Sequence, residues 1–148
     1  MSDRNEIPQR LFTVEEANAM LPLVRAIAAD IAALSESLLE RRERLQQMLA
    51  DRPALRRDPY SEELLQVQRE MEADAERLQE FVQELRDLGV EAKGPQGLVD
   101  FPSLMEGRVV YLCWKLGESE VSHWHELHAG FAGRQSLPGA VVSGSEPA

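Results

Sequence analysis

Apolar residues recur along the first third of the chain in alternating steps of three and four residues. A single polar residue, Arg41, occupies one of these positions. The repeat of 3.5 residues is typical of a coiled-coil seam. The apolar members of this first seam are Val24, Ile27, Ile31, Leu34, Leu38, Leu45 and Met48.

The start of this helix has its own signal. Thr13-Val-Glu-Glu16 has the form of a capping box, with Thr13 as N-cap and Glu16 three residues later. Pro22 lies two turns further on, where it should either kink the helix or mark its true start, because proline lacks an N–H donor. We predict a first helix over residues 13–50.

A second helix follows a proline-flanked break. Pro53 and Pro59 interrupt the repeat and predict a loop over residues 51–60. Ser61 is suited to N-cap a helix over residues 61–88, and Gly89 suits the position just after its end. Its seam has the same steps and consists of Leu64, Val67, Met71, Asp74, Leu78, Phe81, Leu85 and Leu88.

The two seams can be aligned in antiparallel order. Pairing Val24 with Leu88 and Met48 with Leu64 places the fold point at residue 56, inside the predicted loop. The two polar residues of the seams, Arg41 and Asp74, then lie in adjacent layers, and we predict that they form an ion pair. The pair either fixes the register of the hairpin or marks a place where the seam reaches solvent.

Further apolar positions widen the stripe on the first helix beyond a two-stranded seam. We expect them to be buried against the C-terminal part of the chain, a second copy of the chain, or both. A homodimer is therefore expected. The additional apolar positions on the first helix are Leu21, Ala28, Ala32, Leu39 and Leu49.

The pattern changes after Gly89. Short strands are predicted over residues 90–93 and 98–101, joined by a turn at Gly94-Pro95-Gln96-Gly97, and Pro102 should end the second strand. Residues 108–115 form a third, mostly apolar strand. The fold class is α+β and mainly α. A coiled-coil-like helical hairpin precedes a three-stranded meander and a short His/Trp-rich segment. We expect one domain over residues 1–137, its β module at 89–137, and a disordered tail at 138–148.

Composition narrows the function classes. The 148 residues carry a net charge of −10, which argues against nucleic-acid binding and against an anionic membrane surface. No apolar run approaches a membrane span of about 18 residues, and the first ten residues lack a signal-peptide core. The single cysteine cannot form an internal disulfide, which favours a cytoplasmic protein.

One basic segment stands out in this acidic chain. Residues 41–57 carry six arginines against Glu43 and Asp51. This tip of the hairpin would suit an acidic protein partner or nucleic acid. The simpler alternative is that acidic residues of the second helix neutralise it.

All three histidines lie within six residues of one another. On a strand His123 and His125 would share a face, whereas on a helix His125 and His128 would. Either arrangement suits zinc, iron or manganese, and HELH is one residue too short for the zincin motif HExxH. The alternative is a hydrogen-bonded cluster that holds the segment onto the meander. The candidate metal ligands are His125, Glu126, His128, Glu118 and Glu120.

Two weaker signals lie nearby. The sequence GFAGR would let Arg134 bind an anionic cofactor, or Arg134 would simply pair with Glu118 or Glu120. Cys113 lies inside the most apolar strand, so we interpret it as a small core residue rather than a nucleophile.

Five segments together resemble a bacterial family of proteins, the domain-of-unknown-function family 2203, over about residues 10–137. They are RLFTVEEANAMLP at 10–22, GLVDFP at 97–102, VYLCWKLGE at 110–118, WHEL at 124–127 and GFAGR at 130–134. The resemblance implies tyrosine in place of His123 and an acid in place of His128. It brings no function with it.

Three functions remain open from the sequence. The first is binding of a divalent metal or small ligand through the C-terminal Glu/His segment. The second is a structural or adaptor protein that acts through its hairpin. The third is a metal-dependent hydrolase, with Glu126 or Glu120 as general base toward a metal-bound water.

Overall fold

The computed structural model describes residues 10–57 and 61–138 of the chain. The predicted tail at 138–148 lies outside these residues except for Pro138. The helices are α1 (Val14–Asp51), α2 (Pro53–Arg57) and α3 (Glu62–Asp87), and the strands are β1 (Glu91–Ala92), β2 (Leu98–Met105), β3 (Arg108–Lys115), β4 (His123–His125) and β5 (Gln135–Ser136). A 3₁₀ turn, Phe131–Gly133, precedes β5.

The capping box at the start of α1 is confirmed. The Thr13 hydroxyl accepts a hydrogen bond from the Glu16 N–H at 3.0 Å, and the Glu16 carboxylate accepts one from the Thr13 N–H at 2.9 Å. Because the helix continues unbroken through Pro22, the alternative that Pro22 marks its start is wrong. The prediction of a loop throughout 51–60 is also wrong for its described part, while residues 58–60 lie outside the described residues. Pro53 opens the short helix α2, where its missing N–H costs nothing.

The second helix and the predicted ion pair are confirmed. Ser61 caps α3 by accepting the Leu64 N–H, and Gly89 follows Leu88 with φ of +91°, a conformation that glycine adopts without strain. Arg41 donates to the Asp74 carboxylate at 2.6 Å across the hairpin. The antiparallel register that places these two residues in adjacent layers accounts for this contact.

Within residues 10–57 and 61–138 the sheet has five antiparallel strands in the order β1-β2-β3-β4-β5, so the prediction of three strands is wrong. The predicted loop at 102–107 is likewise wrong, because β2 runs through Pro102 to Met105 and pairs with β3 along its whole length. Pro102 is tolerated there because β1 pairs only with residues 99 and 100, leaving that edge of β2 without a ladder partner. The Pro102 carbonyl instead accepts the Phe12 N–H at 2.7 Å.

One face of the sheet packs against the helices. Phe101, Leu112 and Trp124 oppose one another across three strands and are buried with the first half of α1. The buried residues of α1 all lie between Ala17 and Ile31. The widened stripe is therefore buried at Leu21 and Ala28, whereas Leu39 is half exposed. The other face of the sheet is left for the C-terminal segment to cover.

Among the helices of the described residues, α1 is the one that is long and apolar enough to meet the length and composition criterion for a membrane span. This differs from the expectation that no segment of the chain would. The six buried residues of α1 pack into the common core with the sheet, as they do in the core helix of a soluble domain.

Candidate metal centre

A buried polar cluster lies on the face of the sheet that points away from the helices. Asp100 on β2 is directly opposite Cys113 on β3, and the register continues from Cys113 to His123 on β4. His125 lies two residues further along β4 and therefore projects from the same face. Candidate ligand atoms of Asp100, Cys113 and His125 lie within 4.8 Å of one another.

These three side chains are almost fully removed from solvent. Their exposed fractions are 2% for Asp100, 0% for Cys113 and 3% for His125. A carboxylate buried to this degree needs partners, because an uncompensated charge in a protein interior is strongly unfavourable. The arrangement of His125 provides one.

Both ring nitrogens of His125 have partners. Nε2 lies 3.1 Å from each carboxylate oxygen of Asp100, and Nδ1 lies 2.7 Å from the carbonyl oxygen of Glu126. A carbonyl only accepts hydrogen bonds, so Nδ1 carries a proton and donates it. One further proton must then lie between Nε2 and Asp100, which makes the pair neutral as a whole.

Burial shifts the pKa values of Asp100 and Cys113. Burial raises the pKa of Asp100 above its ordinary value, and this outweighs the opposite effects of His125 and Lys93. Burial, reinforced by the nearby Asp100 carboxylate, raises the pKa of the Cys113 thiol to about 12. Without a metal, Cys113 is therefore a protonated thiol at neutral pH and a poor nucleophile.

The donor set fits a metal that accepts mixed ligands. Zinc binds thiolate sulfur, imidazole nitrogen and carboxylate oxygen at about 2.0–2.3 Å, which places ligand atoms roughly 3–4 Å apart. The spacing of the three groups needs only small side-chain movements to reach this range. In metal-binding histidines the ring nitrogen that does not coordinate ordinarily donates to a carbonyl or carboxylate, and the hydrogen bond from Nδ1 to the Glu126 carbonyl is of this kind.

A cavity of about 210 Å³ opens beside the cluster. Asp100 and His125 form part of its lining, and Tyr111 lies beside His125 with ring centroids 5.5 Å apart. The cavity gives the buried cluster a route to small molecules. The remaining lining residues are Lys93, Leu98, Leu127, His128, Gly130 and Phe131.

Of the five residues selected from the sequence, the structure brings only His125 into this cluster. Glu126 points outward and binds Arg108, with the shorter contact at 2.6 Å. His128 is exposed at the cavity, and Glu120 is half-buried on the loop before β4. Glu118 is bound to Arg134. The HxH alternative on a strand is the correct local structure, since β4 spans His123–His125.

Of the two roles predicted for Arg134, the structure shows the ion pair with Glu118. Its guanidinium donates to Glu118 at 2.7 and 2.9 Å and to the Cys113 carbonyl at 3.1 Å. Burial alone would raise the pKa of Glu118, but the bonds from Arg134 and from the Lys115 N–H hold it below its ordinary value. The protein's own carboxylate therefore occupies the position that an anionic cofactor would take.

Asp100 and Cys113 were not selected from the sequence. Asp100 is the one charged residue in the strand pattern LVDF, between two residues that are both buried. An acid at a buried strand position is uncommon and is the signal that would have identified it. Cys113 gives no such signal, because a cysteine in an apolar strand is ordinarily a core residue.

A family model described as "Uncharacterized conserved protein (DUF2203)" matches residues 10–137. The chain belongs to this family. The match covers the helical hairpin, the sheet and Arg134, and it confirms the family indicated by the sequence motifs. No curated protein and no solved structure matches the chain.

Proposed function

We propose that this protein binds a divalent transition metal, with zinc as the best match, through Asp100, Cys113 and His125. The observation that carries the proposal is the pair of contacts made by the two ring nitrogens of His125. Its Nδ1 donates to a backbone carbonyl, and its Nε2 is directed at a buried carboxylate beside a thiol. A metal would take the place of the proton that Nε2 and Asp100 now share.

The charge balance supports this proposal. A divalent cation together with the carboxylate of Asp100, the thiolate of Cys113 and neutral His125 forms a neutral group. Neutrality is what a buried site requires, since a net charge there is costly to desolvate. The sulfur ligand favours zinc over manganese, which prefers oxygen donors.

The number of protein ligands bears on what else the metal could bind. A zinc ion held by three protein ligands would have a fourth position for water or a small ligand, as in catalytic zinc sites. The cavity beside Asp100 and His125 is where such a ligand would enter. We propose binding rather than hydrolysis, because Glu126, one of the two candidate general bases, is paired with Arg108 on the surface.

The remaining expectations fit the same proposal. A metal-binding thiol must stay reduced, which fits a cytoplasmic protein with one cysteine. The exposed Leu39 and Leu23 on α1 are compatible with a homodimer, in which a second copy would cover them.

The test is the metal content of protein purified without a metal-binding tag, measured by mass spectrometry. We expect near-stoichiometric zinc in the wild type and loss of at least nine-tenths of it in Cys113→Ala. Asp100→Asn provides a second variant that keeps the shape of the side chain. His128→Ala is the matched control, because this exposed histidine lies outside the cluster and its variant should retain the metal.

Circular dichroism of each variant separates loss of metal from loss of fold. Folded Cys113→Ala protein that still contains zinc would contradict the proposed ligand set. Wild-type protein without metal that also fails to take up added zinc would show that the cluster is only a hydrogen-bonded support for β4.

A further inference from the structure

The cavity beside the metal centre has a cation at its edge that forms no direct ion pair with a carboxylate of the described residues. Lys93 is exposed, and its ammonium lies 5.3 Å from the centre of the Tyr111 ring. Within residues 10–57 and 61–138, no carboxylate oxygen approaches this ammonium to within 4.0 Å.

Part of the wall of the same cavity is apolar. Leu127 and Phe131 are 43% and 40% exposed, and both line it together with Leu98. Large apolar side chains that gather around a concave site and remain exposed are typical of a binding surface. They would contact the apolar body of a ligand.

Lys93 is the one lysine or arginine among the nine residues that line the cavity. A ligand that pairs with its exposed ammonium would place a single anionic group at this edge of the cavity.

We infer that the cavity binds a small apolar monocarboxylate. Its carboxylate would pair with Lys93, and its hydrocarbon part would lie against Leu98, Leu127 and Phe131. The volume of about 210 Å³ is below the range of about 300–1,000 Å³ that accommodates drug-sized ligands, so the ligand must be small. This inference goes beyond the proposed metal and does not require it, since none of these four residues is a proposed metal ligand.

The probe we would use is benzoate, titrated into ¹⁵N-labelled full-length protein and followed by amide chemical shifts. A fragment of this size is expected to bind in roughly the millimolar range. Benzyl alcohol tests the need for the charge, and acetate tests the need for the apolar body. Each titration is run on chelator-treated protein and on zinc-loaded protein, whose metal contents are measured separately.

Two lysine variants provide the matched comparison. Lys93→Gln should weaken benzoate binding by about fivefold or more, because it removes the charge while keeping an exposed polar side chain. Lys115→Gln should leave binding unchanged, because Lys115 also lies over an aromatic ring, 5.6 Å from the centre of Phe131, but does not line the cavity.

Saturable shifts at Leu98, Leu127 and Phe131 that depend on Lys93 would support the inference in either metal state. Equal shifts with benzyl alcohol, unchanged affinity in Lys93→Gln, or no saturable shifts at these amides would overturn it. Because binding is scored independently of metal content, failure of the metal proposal would be seen separately in the zinc measurement.

Discussion

His125 Nε2 lies 3.1 Å from both carboxylate oxygens of Asp100, on the face of the sheet that the helices leave uncovered. The contact requires one proton between the two groups, since Nδ1 already donates to the Glu126 carbonyl. A metal ion and a proton would therefore compete for the same position. This competition makes the proposed site sensitive to pH.

Metal affinity should fall as the pH falls. Burial and the Asp100 carboxylate raise the pKa of the Cys113 thiol to about 12, so its proton is still bound throughout the neutral range and must leave when metal binds. Zinc should bind about 100-fold more weakly at pH 6 than at pH 8 from this proton alone. Competition with a chromophoric chelator at several pH values measures the slope. A flat profile would mean that the thiolate is not a ligand.

The bond between Glu118 and Arg134 should stabilise the fold. Glu118→Gln is expected to lower the free energy of unfolding by about 1.5–3 kcal/mol at pH 7, as for hydrogen bonds to a charged group. Glu120→Gln, two residues away on the same loop, is the control and should change it by less than about 0.5 kcal/mol. Urea unfolding followed by tryptophan fluorescence gives both values.

The effect of Glu118 should also depend on pH with a definite sign. Burial would raise its pKa, but the bonds from Arg134 and the Lys115 N–H lower it overall from the ordinary value of 4.5. Its stabilisation is therefore present above pH 4.5 and is lost as the pH falls through the lowered value. The difference between wild type and Glu118→Gln should shrink over that interval. A difference that stays constant would contradict this account.

The ion pair across the hairpin should couple its two residues energetically. Arg41 and Asp74 are 22% and 26% exposed, and a double-mutant cycle to alanine should give a coupling of about 0.5–1 kcal/mol. Arg52 and Glu63 form the matched control at the exposed end of the hairpin, with exposures of 55% and 45%. We expect the control coupling to be smaller, and equal or reversed couplings would argue against a role in the register.

Gly97 should be far less tolerant of a side chain than Gly94 in the same turn. Both have positive φ, +85° and +89°, so alanine costs about 1–2 kcal/mol at either position. A Cβ at Gly97 would also lie 2.7 Å from the Cβ of Leu116, whereas nothing lies within 4 Å at Gly94. Thermal unfolding should show Gly97→Ala to be worse by about 1–3 kcal/mol. Equal losses would mean that the turn shifts to make room.

The helical hairpin could be predicted from the sequence because its signals are local and repeated. The seam positions, the Thr13 capping box and the Ser61 cap each depend on residues within a few turns. The pairing of Arg41 with Asp74 followed from the register alone. The short helix α2 was missed because proline was interpreted as a loop signal, although it is also a favoured first residue of a helix.

The sheet was harder to predict because strand pairing depends on distant partners. Pro102 normally ends a strand, yet β2 continues because the Pro102 position lies on an edge that β1 does not cover. The strands β4 and β5 are only three and two residues long, which is too short for a pattern to be visible.

For the same reason, only one of the three residues of the candidate site could be predicted from the sequence. His125 was selected from a local concentration of histidines, but its partners come from two other strands. The antiparallel register sets Asp100 opposite Cys113, and no spacing along the sequence indicates that pairing. Glu118 and Glu126, which are close to His125 in sequence, instead form ion pairs with arginines.

The absorption spectrum of the protein loaded with cobalt(II) would reveal directly whether Cys113 binds a metal. Cobalt(II) takes zinc-like sites, and a bound thiolate gives a charge-transfer band in the near ultraviolet. We expect this band at one equivalent of cobalt in the wild type and its loss in Cys113→Ser, with His128→Ala unchanged. A wild-type spectrum without the band, or a band that persists in Cys113→Ser, would contradict a metal centre at Asp100, Cys113 and His125.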